Sequence, residues 1–124
     1  MQVPRRKPLT ARVGVLAVGH HVYWDQFEGL LEELMAKLRV LVDKRTGQGV
    51  EAVSFGMVDC AEGAYRVLPQ IKAADLDVLF VDMVTYATSS TFGALVRELN
   101  LPIVLVALQP LAAMDYAHGS TYMQ

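Results

Sequence analysis

Two adjacent histidines and two aromatic residues follow the first apolar run of this 124-residue chain, and they are the clearest candidates for chemistry. Either His20 or His21 could contact a ligand or transfer a proton, because histidine changes charge near neutral pH. Tyr23 and Trp24 could stack on the apolar face of a sugar ring. A structural interpretation is also open: one histidine is solvated in a loop, the other packs at a helix start, and both aromatic rings belong to the core.

A second group of polar side chains lies at positions 85–91, which contain five serine or threonine residues. Backbone amides at the start of a following helix could hold a carboxylate or phosphate, although N-capping by Ser90 or Thr91 explains part of this pattern. Asp59 and Asp82 could serve as acids near the same place. Asp82 lies inside an apolar run, and its other interpretation is a residue at a solvated strand end, since an unpartnered carboxylate is costly to bury.

The stretches between these groups predict the elements that position them. Four short apolar runs are typical of buried parallel strands: 12–18, 50–57, 77–84 and 103–108. Three stretches have helical spacing of apolar residues: 24–45, 61–74 and 92–99. Pro69 threatens the second half of the middle helix because proline removes a backbone donor. This alternation predicts a flavodoxin-like or Rossmann-like three-layer α/β sandwich, with a doubly wound parallel sheet of about four strands in the order 2-1-3-4.

In open parallel sheets, ligands bind beyond the carboxyl ends of the strands. The segments that should meet there are 19–24, Asp59, 85–90 and Gln109. They carry neutral hydrogen-bonding groups and aromatic rings, which suit a polyhydroxylated ligand. The glycine motifs of dinucleotide-binding and P-loop proteins are absent from the sequence, and its histidines and glutamates lack the spacing of a zinc site.

Composition narrows the class of protein. Hydrophobic residues make up 53% of the chain, charged residues 19%, and the formal net charge is −2. These values exclude a disordered chain. The sequence also has no evident basic face that could bind nucleic acid. No stretch reaches the ~18 apolar residues of a membrane span, and the single cysteine, Cys60, cannot form an internal disulfide. We therefore expect a cytoplasmic protein without membrane or nucleic-acid partners.

The predicted elements divide the chain into three parts. We expect a flexible basic tail at 1–11, one α/β domain at 12–108, and a C-terminal tail at 109–124 that leads to further domains. This tail supplies no convincing fifth strand, so the fourth strand would be a sheet edge that needs cover. The tail itself, a partner or a further part of the protein could supply that cover.

Three sequence blocks occur in order along the chain: VGVLAVGHHVYWDQF at 13–27, YATSST at 86–91 and LQPLAAMDY at 108–116. Together they resemble the N-terminal domain of the L-fucose/L-arabinose isomerase-like family. The resemblance spans nearly the whole chain and covers the first part of such an enzyme. It implies an aldose–ketose isomerase that uses a divalent metal, usually manganese, with its metal ligands and catalytic acid and base in later domains. This chain would then contain neither catalytic residues nor metal ligands and be inactive alone.

The resemblance also implies which residues touch the sugar. In arabinose isomerases the first strand ends in a Gln-His-Leu-Tyr segment that reaches the active site of a neighbouring subunit. The matching positions here are 20–23, where Tyr23 is retained while His20 and Val22 depart from the pattern. The implied substrate contacts are His20, Val22, Tyr23 and Gln109, in a homo-oligomer that binds a monosaccharide.

Two further interpretations stay open. The chain could be one lobe of a sugar-binding protein of the periplasmic or repressor type, which also begins with an apolar strand and aromatic residues on the first loop. It could also be an α/β scaffold without a ligand.

Met35, Val40 and Val42 lie off the main apolar stripe of the predicted helix at 24–45. They fit either a subunit interface or a wide buried stripe.

Overall fold

The computed structural model describes residues 10–46 and 49–108. Its elements in chain order are β1 (Arg12–Val18), α1 (Val22–Gln26), α2 (Leu30–Thr46), β2 (Glu51–Val58), α3 (Ala61–Ala73), β3 (Val78–Met83), α4 (Ser89–Glu98) and β4 (Ile103–Val106). The strands form one all-parallel sheet in the order β2-β1-β3-β4. This confirms the predicted α/β fold of flavodoxin-like or Rossmann-like type, including the strand order 2-1-3-4.

β1 lies in the interior of the sheet, and its residues 13–18 are all buried. Successive side chains of a strand point to opposite faces, so β1 contributes to two separate clusters. Leu16 and Val18 pack in a cluster that includes residues of α3 and α4, whereas Val15 and Ala17 pack with Leu38 of α2. The apolar run that predicted this strand is therefore explained by burial on both faces.

The predicted helix at 24–45 is wrong in one respect, because the structure divides it into α1 and α2. Phe27 ends α1 in an extended conformation. Gly29 follows with a φ of +78°, a left-handed conformation that glycine adopts at little cost. The apolar spacing of Phe27 and Leu30 continues across this break, so periodicity alone did not reveal it. As a consequence, Tyr23 and Trp24 lie on a short separate helix at the end of β1.

Other element boundaries differ by a few residues. α3 continues through Pro69. Because Pro69 is exposed, its missing backbone N–H removes no buried hydrogen bond. α4 begins at Ser89 rather than at 92, because the carbonyl of Thr88 accepts hydrogen bonds from the N–H groups of Thr91 (3.0 Å) and Phe92 (3.2 Å). Thr88, rather than Ser90 or Thr91, is the N-cap, although its side chain caps no backbone N–H group.

Candidate ligand site at the carboxyl ends of β1 and β3

The loop after β1 is tied to the end of β2 by backbone hydrogen bonds. The N–H of Gly19 donates to the carbonyl of Val58 at 3.0 Å, and the N–H of His21 donates to the carbonyl of Asp59 at 3.3 Å. The ring Nδ1 of His21 lies 3.3 Å from that same carbonyl oxygen. These contacts hold the predicted segment 19–24 at the carboxyl end of the sheet.

Asp59 holds Trp24 in place. The indole Nε1–H of Trp24 donates to Oδ2 of Asp59 at 2.7 Å, and both residues are half-buried. A hydrogen bond to an ionised carboxylate is stronger than one between neutral groups. This carboxylate therefore orients α1, and Trp24 contributes to the local packing.

On its other side, the loop is tied to the segment after β3. The N–H of His20 donates to Oγ1 of Thr85 at 3.2 Å, and this hydroxyl donates to the carbonyl of Tyr86 at 3.0 Å. A Cβ atom on Gly19 would lie 3.0 Å from Oγ1 of Thr85 and 3.1 Å from the ring of Trp24. Gly19 is thus required by this close approach of the β1 and β3 ends.

His20 lies at the centre of a group of aromatic rings. Its ring centroid is 5.0 Å from that of His21, 5.9 Å from that of Tyr23 and 6.2 Å from that of Tyr86. Tyr86 is 65% exposed, while His20 and Tyr23 are half-buried. We call these four residues the ring cluster. It combines imidazole and phenol hydrogen-bonding groups with apolar ring faces, which is the mixture that binds sugars through both hydroxyl and C–H groups.

The structure brings together two of the four residues predicted to contact substrate. His20 and Tyr23 are members of the ring cluster. Val22 begins α1 beside them and is 37% exposed. Gln109 lies outside the described residues, as do the rest of the predicted C-terminal tail and residues 1–9. Tyr86 was not singled out from the sequence, although it lies in the polar segment 85–90 that was expected at this edge.

A groove of about 850 Å³ extends from the ring cluster along α2 and over β3. Asp82 lines it and is only 3% exposed. The interpretation of Asp82 as a solvated strand-end residue is therefore wrong, because β3 continues past it and its side chain is enclosed on the α2 side of the sheet. Burial raises the pKa of the Asp82 carboxyl group. Among the described residues, this carboxyl group has no hydrogen-bond or ion-pair partner.

Cys60 is half-buried, and its Sγ accepts a hydrogen bond from the N–H of Gly63 at 3.4 Å. This contact caps α3.

In the part of the chain that the structure describes, no three His, Cys, Asp or Glu side chains are grouped so that they could hold a metal ion. No helix of that part is both long and apolar enough to cross a membrane.

No protein-family model matches the chain, and no curated protein matches it significantly. The geometry of the ring cluster and the sequence resemblance to the isomerase family are therefore the two observations that bear on function.

Proposed function

We propose that this chain is the N-terminal, substrate-contacting domain of a metal-dependent aldose–ketose isomerase similar to the L-arabinose and L-fucose isomerases. The observation that carries the proposal is the ring cluster, in which His20, Tyr23 and Tyr86 meet at the carboxyl ends of β1 and β3. This is the place where open parallel sheets bind ligands. It is also the segment that resembles the substrate-contacting loop of the family.

In this proposal, the ring cluster binds the sugar and leaves its chemistry to other residues. The imidazole of His20 and the hydroxyl groups of Tyr23 and Tyr86 offer donors and acceptors to sugar hydroxyl groups. Their ring faces offer apolar contact to the C–H groups of the sugar. Thr85 and Asp59 act by positioning, because they hold the loop and α1 through His20 and Trp24.

The isomerase reaction needs a metal to polarise the carbonyl and hydroxyl oxygens and a base to move a proton between C1 and C2. The described residues do not fit a manganese site, since they contain no suitable group of ligands. The proposal places both the metal and the acid–base pair elsewhere in the assembly.

The edge of the sheet that carries the ring cluster is exposed, which agrees with a site that another part of the assembly completes. Tyr86 is 65% exposed and Val22 is 37% exposed. Both are therefore accessible to a neighbouring subunit, and the proposal includes a cytoplasmic homo-oligomer in which this edge faces the active site of that neighbour. Gln109 is proposed as a further sugar contact on the sequence resemblance alone.

The proposal is tested by an isomerase assay combined with calorimetry. The purified chain is incubated with Mn²⁺ and L-arabinose or L-fucose, and ketose formation is measured. We expect no ketose and only weak, millimolar sugar binding. Ketose formation by this chain alone would contradict the assignment of catalysis to other domains. Micromolar binding of a monosaccharide would instead support the alternative, a lobe of a sugar-binding protein.

A further inference from the structure

Asp82 lines the same groove as two members of the ring cluster, Tyr23 and Tyr86. Three residues along the chain from Asp82 lies Thr85, whose Oγ1 accepts a hydrogen bond from the N–H of His20. The Cα atoms of Asp82 and Thr85 are therefore at most about 11 Å apart. A six-carbon sugar that makes a hydrogen bond at each end can bridge a separation of this size.

The carboxyl group of Asp82 is enclosed without a partner. The residue is 3% exposed, and among the described residues no side chain or backbone group bonds to its carboxyl oxygens. Glu33 and Lys37, which also line the groove, pair with each other at 2.7 Å. Burial of a polar group without a partner costs free energy, which a ligand that supplies the hydrogen bond recovers. A hydroxyl group both donates and accepts, so it can bond to either protonation state of the carboxyl group.

Catalytic groups supplied from elsewhere in the assembly set the direction of a sugar bound here. Its reacting C1–C2 end has to face the open edge of the sheet, where Tyr86 is 65% exposed. The terminal carbon at the opposite end then points inward along the groove, toward Asp82. Leu34 and Val84 also line the groove and offer only apolar contact from their side chains. Asp82 is thus the polar side chain that a terminal hydroxyl group can meet there.

We propose that Asp82 is a specificity-determining residue of this site, which binds the terminal hydroxyl group of an aldohexose and thereby disfavours 6-deoxy sugars. This inference rests on the proposed function, since it takes a sugar at the ring cluster as its starting point. A site that bonds to a hydroxyl group rejects the analogue without it, because the buried carboxyl group is then left without a partner. L-Galactose and L-fucose are a matched pair of ligands, because L-fucose is L-galactose without the hydroxyl group at C6.

The test is a ¹H–¹⁵N NMR titration of the full chain with each of these two sugars. We expect both sugars to shift the amide signals of residues 20–24 and 85–86, and only L-galactose to shift those of residues 82–84. L-Galactose should bind at least about fivefold more tightly than L-fucose, as expected for one additional hydrogen bond.

Three variants connect this preference to the carboxyl group. Asp82→Ala removes the partner of the hydroxyl group and should bind the two sugars with equal affinity. Asp82→Asn keeps an acceptor without the charge, and its preference for L-galactose should be smaller than that of the wild type. Asp43→Ala removes an exposed carboxylate on α2 and should keep the full preference.

The chain itself offers an alternative partner for Asp82, because residues 5–7 are Arg, Arg and Lys. The triple variant Arg5→Gln/Arg6→Gln/Lys7→Gln removes these cations and should bind both sugars as the wild type does. A preference for L-galactose that appears or grows severalfold only in this variant would mean that the basic segment occupies Asp82. That result would overturn the proposal.

Two further results would overturn it. These are equal affinity of the wild type for the two sugars, and a preference for L-galactose that is unchanged in Asp82→Ala or in Asp82→Asn. In both cases the shifts at residues 20–24 and 85–86 would persist, so the proposed function would stand without this role of Asp82. If neither sugar shifts those residues, the proposed function itself fails and the role of Asp82 fails with it.

Discussion

The indole Nε1–H of Trp24 donates a 2.7 Å hydrogen bond to Oδ2 of Asp59, and this contact links the helix after β1 to the end of β2. The bond joins residues that are far apart in sequence, at the edge where His20 and Tyr23 meet. It explains why α1, which is only five residues long and has no side-chain cap, keeps a defined position. The geometry of the ring cluster depends on this anchor.

Replacement of Asp59 by alanine should loosen α1. The indole N–H would lose its charged acceptor, which predicts a loss of about 1–3 kcal/mol in the free energy of unfolding. Trp24 is the only tryptophan of the chain, so its fluorescence reports directly on this contact. We expect a shift of its emission maximum and a lower urea midpoint in Asp59→Ala. The exposed Asp43→Ala is the control and should change neither. Unchanged emission and stability in Asp59→Ala would show that the bond is absent in solution.

Gly19→Ala should separate the ends of β1 and β3. The added methyl group would meet Oγ1 of Thr85 at 3.0 Å and the ring of Trp24 at 3.1 Å. Overpacking of this kind predicts a loss of about 1–3 kcal/mol in the free energy of unfolding, measured by urea denaturation. Gly93→Ala is the matched comparison, because no atom lies within 4 Å of the added Cβ. In helix α4 that change should stabilise the protein by about 0.5–1 kcal/mol. Equal effects at the two glycines would contradict the packing described for Gly19.

Asp82→Asn should change how stability depends on pH. The pKa of Asp82 is raised above its ordinary value of 3.8 by burial, so the folded state favours the protonated carboxyl group. Its contribution to stability is therefore complete below pH 3.8 and is lost as the pH rises through the raised pKa. Asparagine does not ionise, so the variant should be more stable than the wild type at neutral pH by the free energy that the wild type loses between acidic and neutral pH.

The measurement is chemical denaturation of the wild type and Asp82→Asn at a series of pH values. The two unfolding free energies should converge at acidic pH and separate as the pH rises. Asp43→Asn, which removes an exposed carboxylate, should follow the wild type throughout. A wild type that is the more stable protein at neutral pH would mean that Asp82 has a favourable partner in solution.

The sequence predicted the sheet well because its signals are local. The apolar run 12–18 is explained by a strand buried on both faces, and the order of strands and helices restricts the topology. The meeting of His20 with the segment after β3 also followed from that topology, since the carboxyl ends of parallel strands share one edge. These features need no knowledge of side-chain packing.

The parts that the sequence did not predict depend on contacts between distant residues or on single backbone angles. The break between α1 and α2 requires the left-handed φ of Gly29, while the apolar spacing around it continues as in an unbroken helix. The burial of Asp82 was not predicted because an unpartnered carboxylate is normally exposed. The role of Asp59 as an acceptor for Trp24 was also missed, because it depends on how α1 lies against the end of β2.

A ¹H–¹⁵N NMR titration of the chain with L-arabinose and L-fucose shows whether the ring cluster contacts a sugar. We expect chemical-shift changes at millimolar sugar that are confined to residues 20–24 and 85–86 and are lost in Tyr23→Ala. Asp43→Ala serves as the folded control and should keep them. Absence of any shift at these residues, or shifts that persist in Tyr23→Ala, would mean that the ring cluster does not bind the sugar.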